Sequence, residues 1–239
     1  MTIKPTDRIL VPLDTTDVVW ASGLAATLKG HVGGIKLGKE FFTARGPEGV
    51  RRVTDSAGGD QPLFLDLKFH DIPNTVAGAV RSALQLNPFM LNVHASGGRA
   101  MMEAAAEAVA EAGAARPILL GVTVLTSLGD SDLTDIGIDG GAESQVVRLA
   151  KLAQASGLDG VVCSAKEITA IRDACGGDFK LVTPGIRPAW ASADDQKRIV
   201  TPADAVAMGA DYLVIGRPIT GADDPTEAAR RIGIELGSV

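Results

Sequence analysis

The chain has 239 residues, 46% hydrophobic, 22% charged and only 4% aromatic, a balance that suits a soluble globular protein with a core of small aliphatic side chains. A formal charge of −6 argues against a general nucleic-acid or anionic-membrane binder, yet leaves room for a few placed cations around an anionic small molecule. Single-domain α/β barrels run to about 250 residues and no Pro/Ser-rich or like-charge linker interrupts the chain, so one domain over 1–239 is expected.

The first residues, MTIKPTDRILVPLD, hold no apolar signal core, and the longest apolar runs elsewhere are strand-length, which predicts a cytoplasmic protein without membrane contact. From there short β-rich runs alternate with stretches of helical period. The strand runs are ILVPLD (9–14), GIKLG (34–38), LFLDLKF (63–69), MLNVHA (90–95), ILLGVTV (118–124), GVVCS (160–164), KLVTPGI (180–186) and YLVIGRPI (212–219). Helices are expected over 18–29, 75–86, 99–113, 142–157, 165–175, 202–210 and 225–235, each with apolar residues three and four apart. The segment 39–60 reads as a helix interrupted at Gly46 and Pro47. Eight strands alternating with helices predict a single-domain α/β protein, a (β/α)8 TIM barrel, whereas a doubly wound sheet would more often stop at five or six strands.

In such a barrel the chemistry sits at the C-terminal ends of the strands. Asp14 closes the first run, Lys36 lies late in the second, Asp66 and Lys68 near the end of the third, and Asp71 on the loop beyond. Residues 66 and 68 are two apart and share one face of a strand, while Leu65, Leu67 and Phe69 face the helix layer. Each charge alone reads equally as a salt-bridged or solvent-facing group, and Asp14 also as a helix N-cap. Their convergence at the strand ends of one barrel favours a site.

At the other end of the chain, TPGIR (183–187) and IGRP (215–218) close the seventh and eighth runs, where barrels frequently build a phosphate site. Gly185 and Gly216 would expose backbone N–H groups, and Arg187 and Arg217 would neutralise an anion. The polar stretch 187–201 is long for a βα loop and reads as a lid or a surface excursion. Gln196 within it could reach a phosphate, a base edge, or neither.

Nucleotide, dinucleotide, zinc-hydrolase and serine-esterase signatures are missing. Cys163 and Cys175, with no C-x-x-C spacing, read as reduced structural thiols, and His94, at the end of the fourth run, as a hydrogen-bonded structural residue. Carboxylates could still hold a divalent metal.

VPLD (11–14), GIKLG, FLDLKFHDIPNT (64–75), VHASGG (93–98), LTS (125–127), TPGIR and IGRPI together resemble the orotidine 5′-phosphate decarboxylase family over nearly the whole chain. The resemblance implies a barrel working as a homodimer on a small-molecule substrate, without cofactor or metal, at the last step of UMP biosynthesis. It implies that Lys36, Asp66, Lys68 and Asp71 surround the scissile carboxylate, with Asp71 supplied by the neighbouring chain. Asp14 and the neighbour's Thr75 would hold the ribose, and Thr126 and Ser127 the pyrimidine. Gln196, Arg187, Gly216 and Arg217 would bind phosphate. The stretch 128–141 is not diagnostic and is assigned no catalytic role.

Two rival readings remain: a metal-dependent sugar-phosphate lyase on the same barrel, which would carry glutamate where Lys36 stands, and a non-catalytic sugar-phosphate binder. The second would gain nothing from placing Asp66 against its ligand's carboxylate.

Overall fold

Eight parallel strands pair in chain order, and the last closes onto the first. They are β1 (Ile9–Pro12), β2 (Gly34–Gly38), β3 (Leu63–Phe69), β4 (Met90–His94), β5 (Ile118–Val122), β6 (Gly160–Val162), β7 (Lys180–Pro184) and β8 (Tyr212–Val214). The structure is a computed structural model that describes residues 4–191 and 200–237. The closed (β/α)8 barrel is the expected one, and its near-continuous apolar strands reflect burial on both faces.

Alternation along each strand sorts the side chains into two layers. Leu10, Phe64, Met90, Leu120, Val182 and Tyr212 point inward and fill the barrel with an apolar plug. Their neighbours Ile9, Val11, Ile35, Leu65, Leu91, Leu119, Leu181 and Leu213 point outward and pack under the helices. Two residues further along, the same inward face carries Pro12, Lys36, Asp66, Asn92, Val122 and Pro184. Period two therefore lifts a polar cluster to the C-terminal mouth, above an apolar floor.

The helices α1 (Val18–Leu28), α2 (Lys39–Ser56), α3 (Pro73–Leu84), α4 (Arg99–Ala110), α5 (Asp130–Asp135), α6 (Gly141–Ala155), α7 (Ile168–Cys175), α8 (Pro202–Met208), α9 (Arg217–Thr220) and α10 (Pro225–Leu236) surround the barrel. Asp17 starts α1, its Oδ1 accepting from the backbone N–H of Val19 at 2.9 Å and of Trp20 at 3.1 Å. Asp14 is thereby released from the N-cap role open to it in the sequence. The interruption expected in α2 is a kink at Gly46, whose φ of +62° is left-handed and suits a residue without Cβ.

The eighth strand is shorter than its apolar run. Pairing stops at Val214, Gly216 turns the chain, and Pro218 enters the first turn of α9, where its missing N–H costs nothing. At the opposite end of the barrel, Arg172 donates to Asp211 at 2.7 Å and to the carbonyls of Phe179 and Gly209 at 2.6 Å each. The Asp211 carboxylate in turn accepts the Leu181 N–H at 2.9 Å, which fastens α7 to β7. Among the described residues no helix is long and apolar enough to cross a membrane.

Candidate active site

The ends of β1, β2 and β3 bring four charges of alternating sign into one row. Lys36 Nζ lies 3.3 Å from Asp14 Oδ1 and 3.2 Å from Asp66 Oδ2, and Lys68 Nζ lies 2.6 Å from Asp66 Oδ1. Asp66 is 7% exposed, so its carboxylate is a desolvated charge held by partners on both sides. Burial is the largest influence on it and acts to raise its pKa. Lys36 and then Lys68 outweigh burial, helped by hydrogen bonds from Lys68 and Asn92, and the group titrates below the ordinary carboxylate range.

The row is not a regular strand end. Lys68 has φ +50°, left-handed for a side-chain-bearing residue, and the β3–β4 register slips between Leu65 and Phe69. Backbone strain of this kind costs on the order of 1–2 kcal/mol and persists where neighbours enforce it. The expected sharing of a face by residues 66 and 68 holds, with Leu65, Leu67 and Phe69 against the helix-side core.

A cavity of about 400 Å³ opens above the row. Asp14, Lys36, Asp66 and Lys68 line it together with Thr126, Gly185, Arg187, Gly216 and Arg217, over an apolar base of Phe64, Val122, Val162 and Val214. Both predicted ends, charged and cationic, thus face one space large enough for a small ligand. Gly185 has φ +79°, which allows the tight turn that carries Arg187 inward.

Four predicted residues are not gathered there. Asp71 and Thr75 lie on an exposed segment with Ile72, itself 66% exposed, and the Asp71 carboxylate accepts only the Ile72 N–H, at 2.6 Å, among the described residues. Ser127 is exposed and does not line the cavity. Gln196 lies outside the described residues. Sequence reasoning missed Asn92, completely buried and bonded to Asp66; its one signal was an amide in the apolar run MLNVH. Cys163 lines the cavity with its thiol pushed up to about 12 by burial, a neutral wall and not a nucleophile. Both cysteines are free.

The model of the orotidine 5′-phosphate decarboxylase / HUMPS family matches residues 7–232. The chain belongs to this family. It is 59% identical over 232 residues to an orotidine 5′-phosphate decarboxylase of Rhodospirillum rubrum, spanning 95% of this chain and 93% of that protein. The orotidine 5′-phosphate decarboxylase of Paramagnetospirillum magneticum is 54% identical, spanning 96% of this chain and 98% of its own. A crystal structure of orotidine 5′-phosphate decarboxylase from Lactobacillus acidophilus superposes with a TM-score of 0.84 at 36% identity, covering 95% of this chain and 98% of that one.

At the rim of this decarboxylase-family site, the His94 side chain makes no hydrogen bond among the described residues, in contrast to the role expected of it. Its ring packs against His70 with centroids 5.4 Å apart. Burial, followed by the charges of His70, Lys39 and Lys68, depresses its pKa to about 4. The unfolded chain, with an ordinary histidine near 6.5, binds the extra proton between those values, so the folded state loses stability as pH falls through that window. Asp66, depressed from 3.8, adds stability that is lost only at lower pH. In urea unfolding, His94→Phe is therefore expected to flatten the decline between pH 6.5 and about 4 by on the order of 1 kcal/mol, because solvent screens much of the shift on a half-buried ring. An unchanged slope would remove His94 as its source.

Proposed function

We propose that the chain decarboxylates orotidine 5′-phosphate to UMP, the last step of de novo UMP synthesis, without a cofactor and with Lys68 as proton donor to C6. The observation that carries this reading is the unbroken row Asp14, Lys36, Asp66, Lys68, in which each charge is held by the opposite one beside it. When CO₂ leaves, the electron pair of the broken C6–C bond stays on C6, where the ring delocalises it poorly. Fixed charge must stabilise it. The Lys68 ammonium lines the cavity above the row, so it attracts the developing pair and then transfers a proton to C6; solvent later restores the ammonium.

Asp66 stands where the substrate carboxylate would lie, and its low pKa keeps it charged there, disfavouring the carboxylate more than the departing CO₂. Lys36 holds Asp66 ionised and positions Asp14 for a ribose hydroxyl. Thr126 meets the pyrimidine, while Arg187, Gly216 and Arg217 take the phosphate with Gln196. Binding energy from the phosphate is spent on assembling and drying the charged end.

Asp71 and Thr75 complete the site from a second copy in a homodimer. Their exposure beside Ile72, outside this chain's own cavity, supports that placement. The rival metal-dependent lyase is disfavoured by Lys36, whose ammonium lies 3.2–3.3 Å from both carboxylates that a divalent cation would need.

Mixing inactive Lys68→Ala and Asp71→Ala chains tests the reading. Random exchange produces heterodimers in which one of the two sites is wild type, so UMP formation is expected to recover to about a quarter of the wild-type rate at equal mixing. Proven exchange with no recovery would contradict the shared site. Wild-type protein that forms no UMP in the same assay would contradict the reaction itself.

A further inference from the structure

The pairing of β3 with β4 breaks at the place where the site is built. Leu65 pairs with Leu91, but the next pair is Phe69 with Val93, so β3 carries two more residues than β4 across this interval. The residues caught in the slip are Asp66, Leu67 and Lys68, and opposite them stands Asn92 alone. Lys68 adopts φ +50° within this slip.

Asn92 takes over the bonding that the ladder has lost. Its Oδ1 accepts the Lys68 backbone N–H at 2.7 Å, and its Nδ2 donates to Asp66 Oδ1 at 2.6 Å, the same oxygen that receives Lys68 Nζ. The amide orientation follows from these partners, since the N–H needs an acceptor and the carboxylate a donor. The side chain is completely buried, with no exposed surface, so solvent cannot stand in for it.

We infer that Asn92 is a positioning residue that holds Lys68 and Asp66 in reacting geometry, its side-chain amide replacing the backbone pairing lost at the β3–β4 slip. It touches no reacting atom itself. Asn92 acts on Lys68 through the main chain, fixing the left-handed turn from which the ammonium reaches Asp66 and the cavity. It acts on Asp66 directly, leaving the carboxylate one fixed orientation between two lysines. A misplacement of about 1 Å in such an array costs on the order of 10²-fold in rate. This inference rests on the decarboxylation reading for its kinetic consequence, but the orientation and charge state of Asp66 can be read without turnover.

Wild type, Asn92→Ala and the isosteric Asn92→Asp are compared. The readouts are orotidine 5′-phosphate kinetics from pH 5 to 9 and the ¹³C NMR titration of the Asp66 carboxyl. In Asn92→Asp the new carboxylate can still accept the Lys68 N–H, but it faces Asp66 with like charge. Both variants are expected to lose about 10²-fold in kcat with KM within about threefold of wild type, and Asp66 is expected to titrate at higher pH. Activity of Asn92→Asp should recover in part as pH falls and one proton, shared by the two carboxyls, restores a donor to Asp66.

Folded variants that keep wild-type kcat, or that lose affinity alone, overturn the inference while leaving the decarboxylase reading standing. If wild type itself makes no UMP, that reading fails. The Asp66 titration still decides the positioning role, and an unshifted titration in both variants overturns it.

Discussion

Lys68→Ala is expected to lower kcat/KM for orotidine 5′-phosphate by at least about 10⁴-fold while the protein stays folded. On the proposed mechanism the change removes a proton donor and a fixed positive charge together, each worth on the order of 10²–10⁴-fold when lost alone. The fold should tolerate it. Asp66 keeps Lys36 at 3.2 Å and the Asn92 amide at 2.6 Å, and alanine at φ +50° is no more strained than the lysine it replaces. The measurement is UMP formation by the variant, with thermal unfolding beside it. A stable variant retaining more than about one hundredth of wild-type turnover would remove Lys68 from the proton-donor role.

Arg217→Ala is expected to act on affinity, raising KM by about 10²-fold with a much smaller change in kcat. Arg217 begins α9 and lines the cavity beside Gly216, and it has no ion-pair partner among the described residues. Its guanidinium is therefore free for a phosphate dianion. Charge-assisted hydrogen bonds of this type contribute about 1.5–3 kcal/mol, roughly 10–150-fold in binding. Because the residue is exposed and outside the core, no loss of stability should accompany the change. Steady-state kinetics with orotidine 5′-phosphate and with unphosphorylated orotidine separates the possibilities. The variant should lose its advantage for the phosphorylated substrate, and an undiminished preference would place phosphate binding elsewhere.

Much of the fold is legible in the chain because parallel barrel strands are buried on both faces. GIKLG and LFLDLKF stand out as apolar runs, and their charged members Lys36, Asp66 and Lys68 stand out against them. The overlong reading of YLVIGRPI has the converse cause. Ile215 and Ile219 are buried at the turn and in α9, so hydrophobicity alone extends the strand past Gly216.

Asn92 was hidden for a different reason. A two-residue register slip between β3 and β4 involves pairing of segments distant in sequence, and nothing local to MLNVH reveals it. The left-handed Lys68 is equally silent, because no glycine marks the place. Asp71 and Thr75 are legible as residue types, but the cavity of one chain does not include them, and their proposed place depends on a second copy.

Fixed side-chain charges alone are proposed to decarboxylate orotidine 5′-phosphate in this cavity. The most direct test follows the loss of substrate absorbance and the appearance of UMP in excess EDTA, with wild type and Lys68→Ala side by side. Wild type is expected to convert the substrate fully in the chelator, one UMP for each substrate consumed, and the variant to convert none on the same timescale. Turnover abolished by EDTA and restored by magnesium would contradict the account.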